Sequence, residues 1–408
     1  MPPVTRSHKS RIPKAPDPEP TLPETLDGQK SKLPPELLRN IVEEVALSIP
    51  DARARNHVLY NLLLTSRDLH PEARRILYRD ITFVNRTRVA GQIANALHAG
   101  AAKYVRSLRV QYFDLQKGRP NNINARTRFC HLPLNRMDGL QSLELWGTWI
   151  GDASAIADFL VTSIPVNSLL EFQAVLPIGN PLLRFLQQQN RIQFLSVYGF
   201  DIGLRTASLS SRQLMPNLRR FNLLFPSNDV GFQELVEERP ITVFHLGSVF
   251  DLPTCWSTFA PRLQALDVST SVIGVPEFQE FIEIFSTTAV NLRVLACFEV
   301  TFFSDALTST LPAGYRALGN LRHLEALSVS FDANSIGQLD VMTIPDVVGP
   351  PTQLKSIFVT QQPMGEHDNQ VIADELLRDS GSGWTTVPRT GMMKEDWFES
   401  SLERLGLA

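Results

Sequence analysis

Eight histidines and three cysteines are the side chains with which this 408-residue chain could do nucleophilic or metal chemistry. The histidines (His8, His57, His70, His98, His131, His245, His323 and His367) never recur three or four residues apart, the spacing that sets two imidazoles on one helix face around a metal. Cys130, Cys255 and Cys297 are odd in number and far apart, which fits a reducing compartment better than a disulfide framework. The Asn-Arg-Thr sequon at Asn85 is then expected to stay bare. Phosphate-loop, His-Glu-x-x-His, Cys-x-x-Cys and Gly-x-Ser-x-Gly patterns are all missing from the sequence. The expectation is a protein that is not an enzyme and uses no cofactor and no metal; a catalytic site assembled only by folding is the alternative.

Chemistry by binding fits the pattern better. A six-residue frame with apolar first, fourth and sixth positions recurs ten times, starting at Val105, Leu140, Leu169, Ile192, Leu218, Ile241, Leu263, Leu292, Leu324 and Leu354, at intervals of 22 to 35 residues. Leu140-Gln141-Ser142-Leu143-Glu144-Leu145 is a clear copy; the copy from Leu169, with Phe172 and Ala174, is weaker. Alternation of the fourth and sixth positions with polar neighbours is strand periodicity. Helical segments lie between copies: Asp158 to Leu160, Pro181 to Leu186, and Pro276 to Phe285 with Phe278, Phe281, Ile282 and Phe285 on one stripe. Strand, turn, helix and return to a parallel strand is the unit of a leucine-rich-repeat-like α/β solenoid, with strands lining the inner face and helices outside. A doubly wound α/β sheet is the rival fold.

The third, fifth and seventh residues of each frame would face away from the core. Ser107, Glu144, Glu171, Asn222, His245 and Asp267 fall there, and so do the residues expected to bind a target: Arg109, Trp146, Phe194, Tyr198, Arg220, Phe298 and Phe358. Aromatics mixed with charges are what interaction hot spots use. The alternative is that helices or the C-terminal segment cover the aromatics, or that they stack on one another between strands.

Residues 1–32, rich in Pro, Lys and Thr, are expected to form a disordered tail. From Leu33 a helical pattern begins, with Leu37, Leu38, Ile41, Val42 and Val45 at helical spacing and Pro34-Pro35 suited to the first turn. Pro50-Asp51 is expected to stop that helix and open a charged loop through Arg55, before helical stretches at Leu59–Leu64 and from Pro71 to Leu77. The expected division is a tail at 1–32, a helical module at 33–83, the repeats at 84–378, and a C-terminal link and capping helix at 379–408. That helix, Glu395 to Leu405 with Phe398, Leu402 and Leu405 near one face, either lies across the last strand or binds a partner.

Net charge is −3, distributed unevenly: residues 84–128 carry nine Lys or Arg against Asp114 alone, whereas residues 129–408 carry 17 bases and 30 acids. The basic stretch is read as one positive end of the molecule, with an acidic partner as the alternative. It lacks interleaved aromatics beyond Tyr104, Tyr112 and Phe113, which disfavours nucleic acid. No apolar run approaches the roughly 18 residues of a membrane span, and the N-terminal prolines break both a secretory signal and an amphipathic presequence. Cytoplasm, nucleus or both is the expected location.

Leu33-Pro34-Pro35-Glu36-Leu37, Leu62 to Leu69 and Ala73 to Ile81 together resemble the F-box domain, especially its divergent fungal forms, over residues 33–83. The repeats resemble those of leucine-rich-repeat F-box proteins. The resemblance implies the substrate receptor of a cullin-RING ubiquitin ligase: the F-box docks on a Skp-type adaptor and through it on cullin, while the repeats hold a protein target. By position, the adaptor-binding residues would be Leu33, Pro34, Glu36, Leu37, Leu38, Ile41, Val42 and Leu63. The chain departs from the family in having Leu64-Thr65-Ser66-Arg67 without the usual Cys and Trp, in a long Ser48–His57 loop, and in lacking Asn three residues beyond each frame, where Phe113, Thr148, Phe200, Ser271 and Asp332 stand in five copies. An adaptor-independent repeat scaffold with a vestigial F-box is the alternative function.

Overall fold

The structure, a computed structural model, describes residues 33–84, 88–112, 132–147, 153–200, 213–223, 229–247, 255–268, 272–273, 275–300, 318–332, 353–362, 372–378, 383–389 and 392–408. The expected tail at 1–32, the sequon at Asn85 and most of the basic stretch beyond Tyr112 lie outside these residues. The chain forms two compact units that divide between Leu77 and Tyr78. The division falls before the expected boundary at 83, because Asp80–Val84 pairs as a strand with Ser107 to Gln111 of the second unit.

Three helices make the first unit: α1 (Pro35–Leu47), α2 (Ala52–Thr65) and α3 (His70–Leu77). Pro35 occupies the first helical position of α1, where its missing N–H costs nothing. The expected charged loop through Arg55 is helix instead. Asp51 accepts from the Ala54 N–H at 2.6 Å and so starts α2 at Ala52, and the apparent long loop shrinks to Ser48–Asp51. Val42, Ala46, Leu59 and Ala73 form the core, with Leu62, Leu63, Leu69, Ile76 and Leu77 packed against it. Arg75 ties α3 to α1, meeting Glu43 at 2.5 Å and Glu72 at 2.8 Å.

In the second unit, every one of the ten frames is a strand. Ahead of them comes β1 (Asp80–Val84); the frames supply β2 (Ser107–Tyr112), β3 (Ser142–Gly147), β4 (Glu171–Ile178), β5 (Phe194–Phe200), β6 (Arg220–Leu223), β7 (Val243–Leu246), β8 (Ala265–Asp267), β10 (Val294–Val300), β11 (Ala326–Asp332) and β12 (Ser356–Gln362). The short β9 (Val272–Ile273) pairs β10 off the main path, and β13 (Ile372–Arg378) and β14 (Trp384–Pro388) finish the sheet. Pairing is parallel in chain order to β12 and antiparallel thereafter. The order lacks the reversal that defines a doubly wound sheet. The result is an open, mostly parallel α/β sheet with helices α4 (Arg88–Ala96), α5 (Ala153–Ser163), α6 (Asn180–Gln187), α7 (Asp229–Glu237), α8 (Trp256–Phe259) and α9 (Val275–Thr288) in its connections, and α10 (Lys394–Arg404) at its end.

Register is constant over the frame positions and shifts only beyond them, between Ala174 and Pro177 in β4 and between Ala296 and Glu299 in β10. Leu143 of β3 stands opposite Leu108 and Phe172, and the same fourth position continues through Leu195, Phe221, Phe244, Leu266, Leu295 and Leu327 to Ile357. These side chains are buried with the helices in one continuous core. The N–H groups of the second and third frame residues both donate to the second-position carbonyl of the strand before: Gln141 and Ser142 to Arg106 at 2.8 and 3.0 Å, and so on to Lys355 and Ser356 donating to Glu325.

A tight turn precedes the strands and lengthens the frame by three residues. In the copies starting at Val105, Leu140, Ile192, Leu218, Leu263, Leu292 and Leu324 the N–H of the first frame residue donates to the carbonyl three positions earlier, as Leu140 does to Met137 at 2.9 Å, Leu218 to Met215 at 3.1 Å, Leu263 to Ala260 at 3.0 Å and Leu324 to Leu321 at 3.0 Å, whereas the Leu169 N–H donates to the Gln189 side chain. The accepting residues are buried. Side chains at these turns reach back to carbonyls of the preceding connection: Arg136 to His98, Gln189 to Pro165, Arg239 to Leu214, Arg262 to Val236 and Asn291 to Pro261. They join successive connections.

Candidate functional site

In the first unit, Leu37 and Ile41 are 46% and 45% exposed, and with exposed Leu33 they make an apolar line at four-residue spacing. Pro34 and Glu36 are also exposed, and Glu36 lies in the first turn of α1, near the positive end of its dipole. Leu38 and Leu63 are half-buried, Leu63 against the unit's own core. Val42, expected on the docking face, is fully buried at the centre of that core and offers nothing to a partner. Exposed Tyr60 and Leu64, again four residues apart, form a second line on α2 that the sequence reading passed over.

The second unit's frame residues 3, 5 and 7 form the second face of the sheet, opposite the main core. Trp146 and Tyr198 remain 44% and 43% exposed there. The Trp146 indole N–H donates to Glu144, whose other carboxylate oxygen accepts from Arg109. A nearly buried carboxylate thus fixes an exposed ring, which lowers the entropy such an anchor would lose on binding. Phe194 is half-buried, with the Arg220 guanidinium carbon 4.6 Å from its ring centre. Phe298 lies on β10 with its side chain outside the described set.

Helix α10 packs on this face between β7 and β13. Trp397, Phe398 and Leu402 pack on Val243, Ala265, Val294, Ala296, Ala326, Phe358 and Ala373 as a second apolar cluster. Phe358, expected to meet a target, is instead fully buried beneath Trp397. Polar ties hold the helix: Glu399 to Arg220 at 2.5 Å, Arg404 to Glu375 at 3.3 Å, and Arg293 to the Leu405 carbonyl at 3.4 Å. Glu375 also accepts from Ser356 and Arg389. Burial works to raise the Glu375 carboxyl, but these hydrogen bonds and the charges of Arg404 and Arg389 outweigh it and hold the group below the ordinary carboxylate range. Glu325, bridging Arg293 and Lys355, is lowered against its own desolvation in the same way.

The sequence reading placed Phe398 and Leu402 on one face of α10 but missed Trp397 and Glu399. The available signal was the four-residue spacing from Trp397 to Ser401, both buried, beside the four-residue pair Phe398 and Leu402. A polar cleft of about 240 Å³ lies among Arg262, Gln264, Asn291, Arg293, His323, Glu325 and Gln353. Its two arginines already serve backbone carbonyls and Glu325. Among the described residues, no cluster of three or more His, Cys, Asp or Glu is placed to hold a metal ion, and no helix is long and apolar enough to cross a membrane. No family model matches the chain, and no curated protein matches it.

Proposed function

We propose that this protein is the substrate receptor of a Skp/cullin/F-box ubiquitin ligase, acting in the cytoplasm, the nucleus or both. In this reading the first unit is an F-box, the ten in-register strands are degenerate leucine-rich repeats, and a protein target meets the second face. The observation that carries it is the exposed line of Leu33, Leu37 and Ile41 on a three-helix unit. So small a unit has little surface of its own to bury, and apolar side chains left in water at regular spacing are suited to a partner.

The receptor's work is proximity. Holding a target beside a ubiquitin-charged enzyme raises its effective concentration, so the receptor needs no nucleophile or acid of its own. Trp146, Tyr198, Arg109 and the Phe194–Arg220 pair are the residues that would meet the target; Val42 and Phe358 are spent on internal packing.

The test is a pull-down with a purified Skp-type adaptor, comparing the intact chain with Leu37→Asp/Ile41→Asp. Binding by the intact chain and its loss in the variant supports the receptor. No binding by the intact chain overturns it and leaves an adaptor-independent scaffold with a vestigial F-box, a reading favoured by Thr65 and Ser66 standing in the stretch where the family carries Cys and Trp.

A further inference from the structure

We propose that the second face from β6 to β13 is a groove for an amphipathic helix, that α10 is its resident occupant in cis, and that a partner helix enters when α10 lifts. The partner would carry the same order of side chains as Trp397, Phe398, Glu399 and Leu402: two adjacent aromatics, an acid, then a leucine four residues after the second aromatic.

The floor has the composition of a surface rather than of a permanent core. Alongside its small apolar residues, this face buries Asp267, Ser328, Ser330, Ser356, Thr360 and Glu375. Interiors that never open are built mainly from apolar side chains. The polar match with α10 is also incomplete: the Ser328 hydroxyl and the Trp397 indole N–H are both fully buried without a partner, as are the Arg220 Nε and Asn222 Oδ1 atoms at the β6 end. Each such group opposes docking by its unreturned desolvation. The remaining ties are two ion pairs with partly exposed members, Glu399 and Arg404, which water can replace, and one long hydrogen bond from Arg293 to the Leu405 carbonyl. Small side chains at Ala265, Ala296, Ala326 and Ala373 leave room for a helix backbone to come close, and α10 demonstrates the seat.

Only the identity of the partner as a ligase target rests on the proposed function; the groove does not. Both tests below omit the adaptor, so a failed adaptor pull-down and a failed groove are separate results.

Hydrogen exchange on the intact chain tests the lifting. The α10 amides should exchange through an opening of their own, about 100-fold faster than those of β10 to β12. Exchange of α10 as slow as the strands means that it leaves only when the sheet unfolds, and overturns the proposal. The seat is tested with a fluorescent peptide of residues 392–408 and the full chain carrying Trp397→Ala/Leu402→Ala. With the cis competitor weakened, the peptide should bind this variant about tenfold more tightly than the intact chain. A Glu399→Arg peptide should bind about fivefold more weakly, restored by adding Arg220→Glu to the chain. Equal binding to both chains, or none to the variant, overturns the proposal; the exchange result on the unaltered chain decides it should the variant fail to fold.

Discussion

The rings of Phe358 and Trp397 lie nearly parallel, 11° between planes and 5.5 Å between centres, one from β12 and the other from α10. A side chain on the outward side of its strand is thereby turned into core. Phe358→Ala should open a cavity under the helix and cost about 3–5 kcal/mol, whereas truncating half-buried Phe194 should cost clearly less. Urea titration followed by circular dichroism compares them, and equal losses would count against the packing role of the stack.

Exposure separates the proposed docking residues from the core of the first unit. Leu37→Asp and Ile41→Asp replace half-exposed side chains and should each change stability by less than about 1 kcal/mol. Val42→Asp puts a charge into the centre of the three-helix core and should melt it. Thermal denaturation read at 222 nm distinguishes the two classes.

Gln189 is fully buried and accepts from the Ser168 and Leu169 N–H groups while donating to the Pro165 carbonyl at 2.9 Å. Gln189→Ala leaves the Ser168 and Leu169 N–H groups unpaired, while the Pro165 carbonyl keeps the Ser168 hydroxyl, and should cost about 2–4 kcal/mol. Exchange protection should fall first between residues 165 and 192, and a uniform loss over the sheet would contradict a local joint.

Glu375 and Glu325 are both held below the ordinary carboxylate range. The stability they add is therefore complete above the unfolded value of about pH 4.3 and is lost as pH falls through their lower folded values. Glu375→Gln should be less stable than the parent at pH 7, and the gap should narrow as pH falls below the ordinary carboxylate range. Urea midpoints at several pH values read this, and parallel curves would sink it.

The strands were legible because Leu-x-x-Leu-x-Leu states its own register: once Leu143 faces the core, so must Phe172 and Leu195. The turn before them went unread: Met137, Met215, Ala260 and Leu321 stand three residues ahead of the frame, but Gln189 and Glu238 hold the same place in other copies and break the pattern. The start of α2 was hidden because Ala52-Arg53-Ala54-Arg55-Asn56-His57 has no apolar period, and only the cap at Asp51 marks it. The burial of Val42 and Phe358 depends on which surfaces meet across tens or hundreds of residues, a matter that helical or strand spacing leaves open. For Phe358 the deciding contact comes from Trp397, on an element whose own apolar stripe says that it docks but not where.

The nine-residue window of turn and frame also divides the chain into stiff and slack length. Hydrogen bonds from one strand to the next hold the frame in register, so a single added residue there would shift one strand's side chains to the wrong face. The stretches between windows make no such demand, and the spacing of 22 to 35 residues is the measure of their freedom. Such a sheet can lengthen or shorten its connections outside the helices that pack into its core while the strands keep their register.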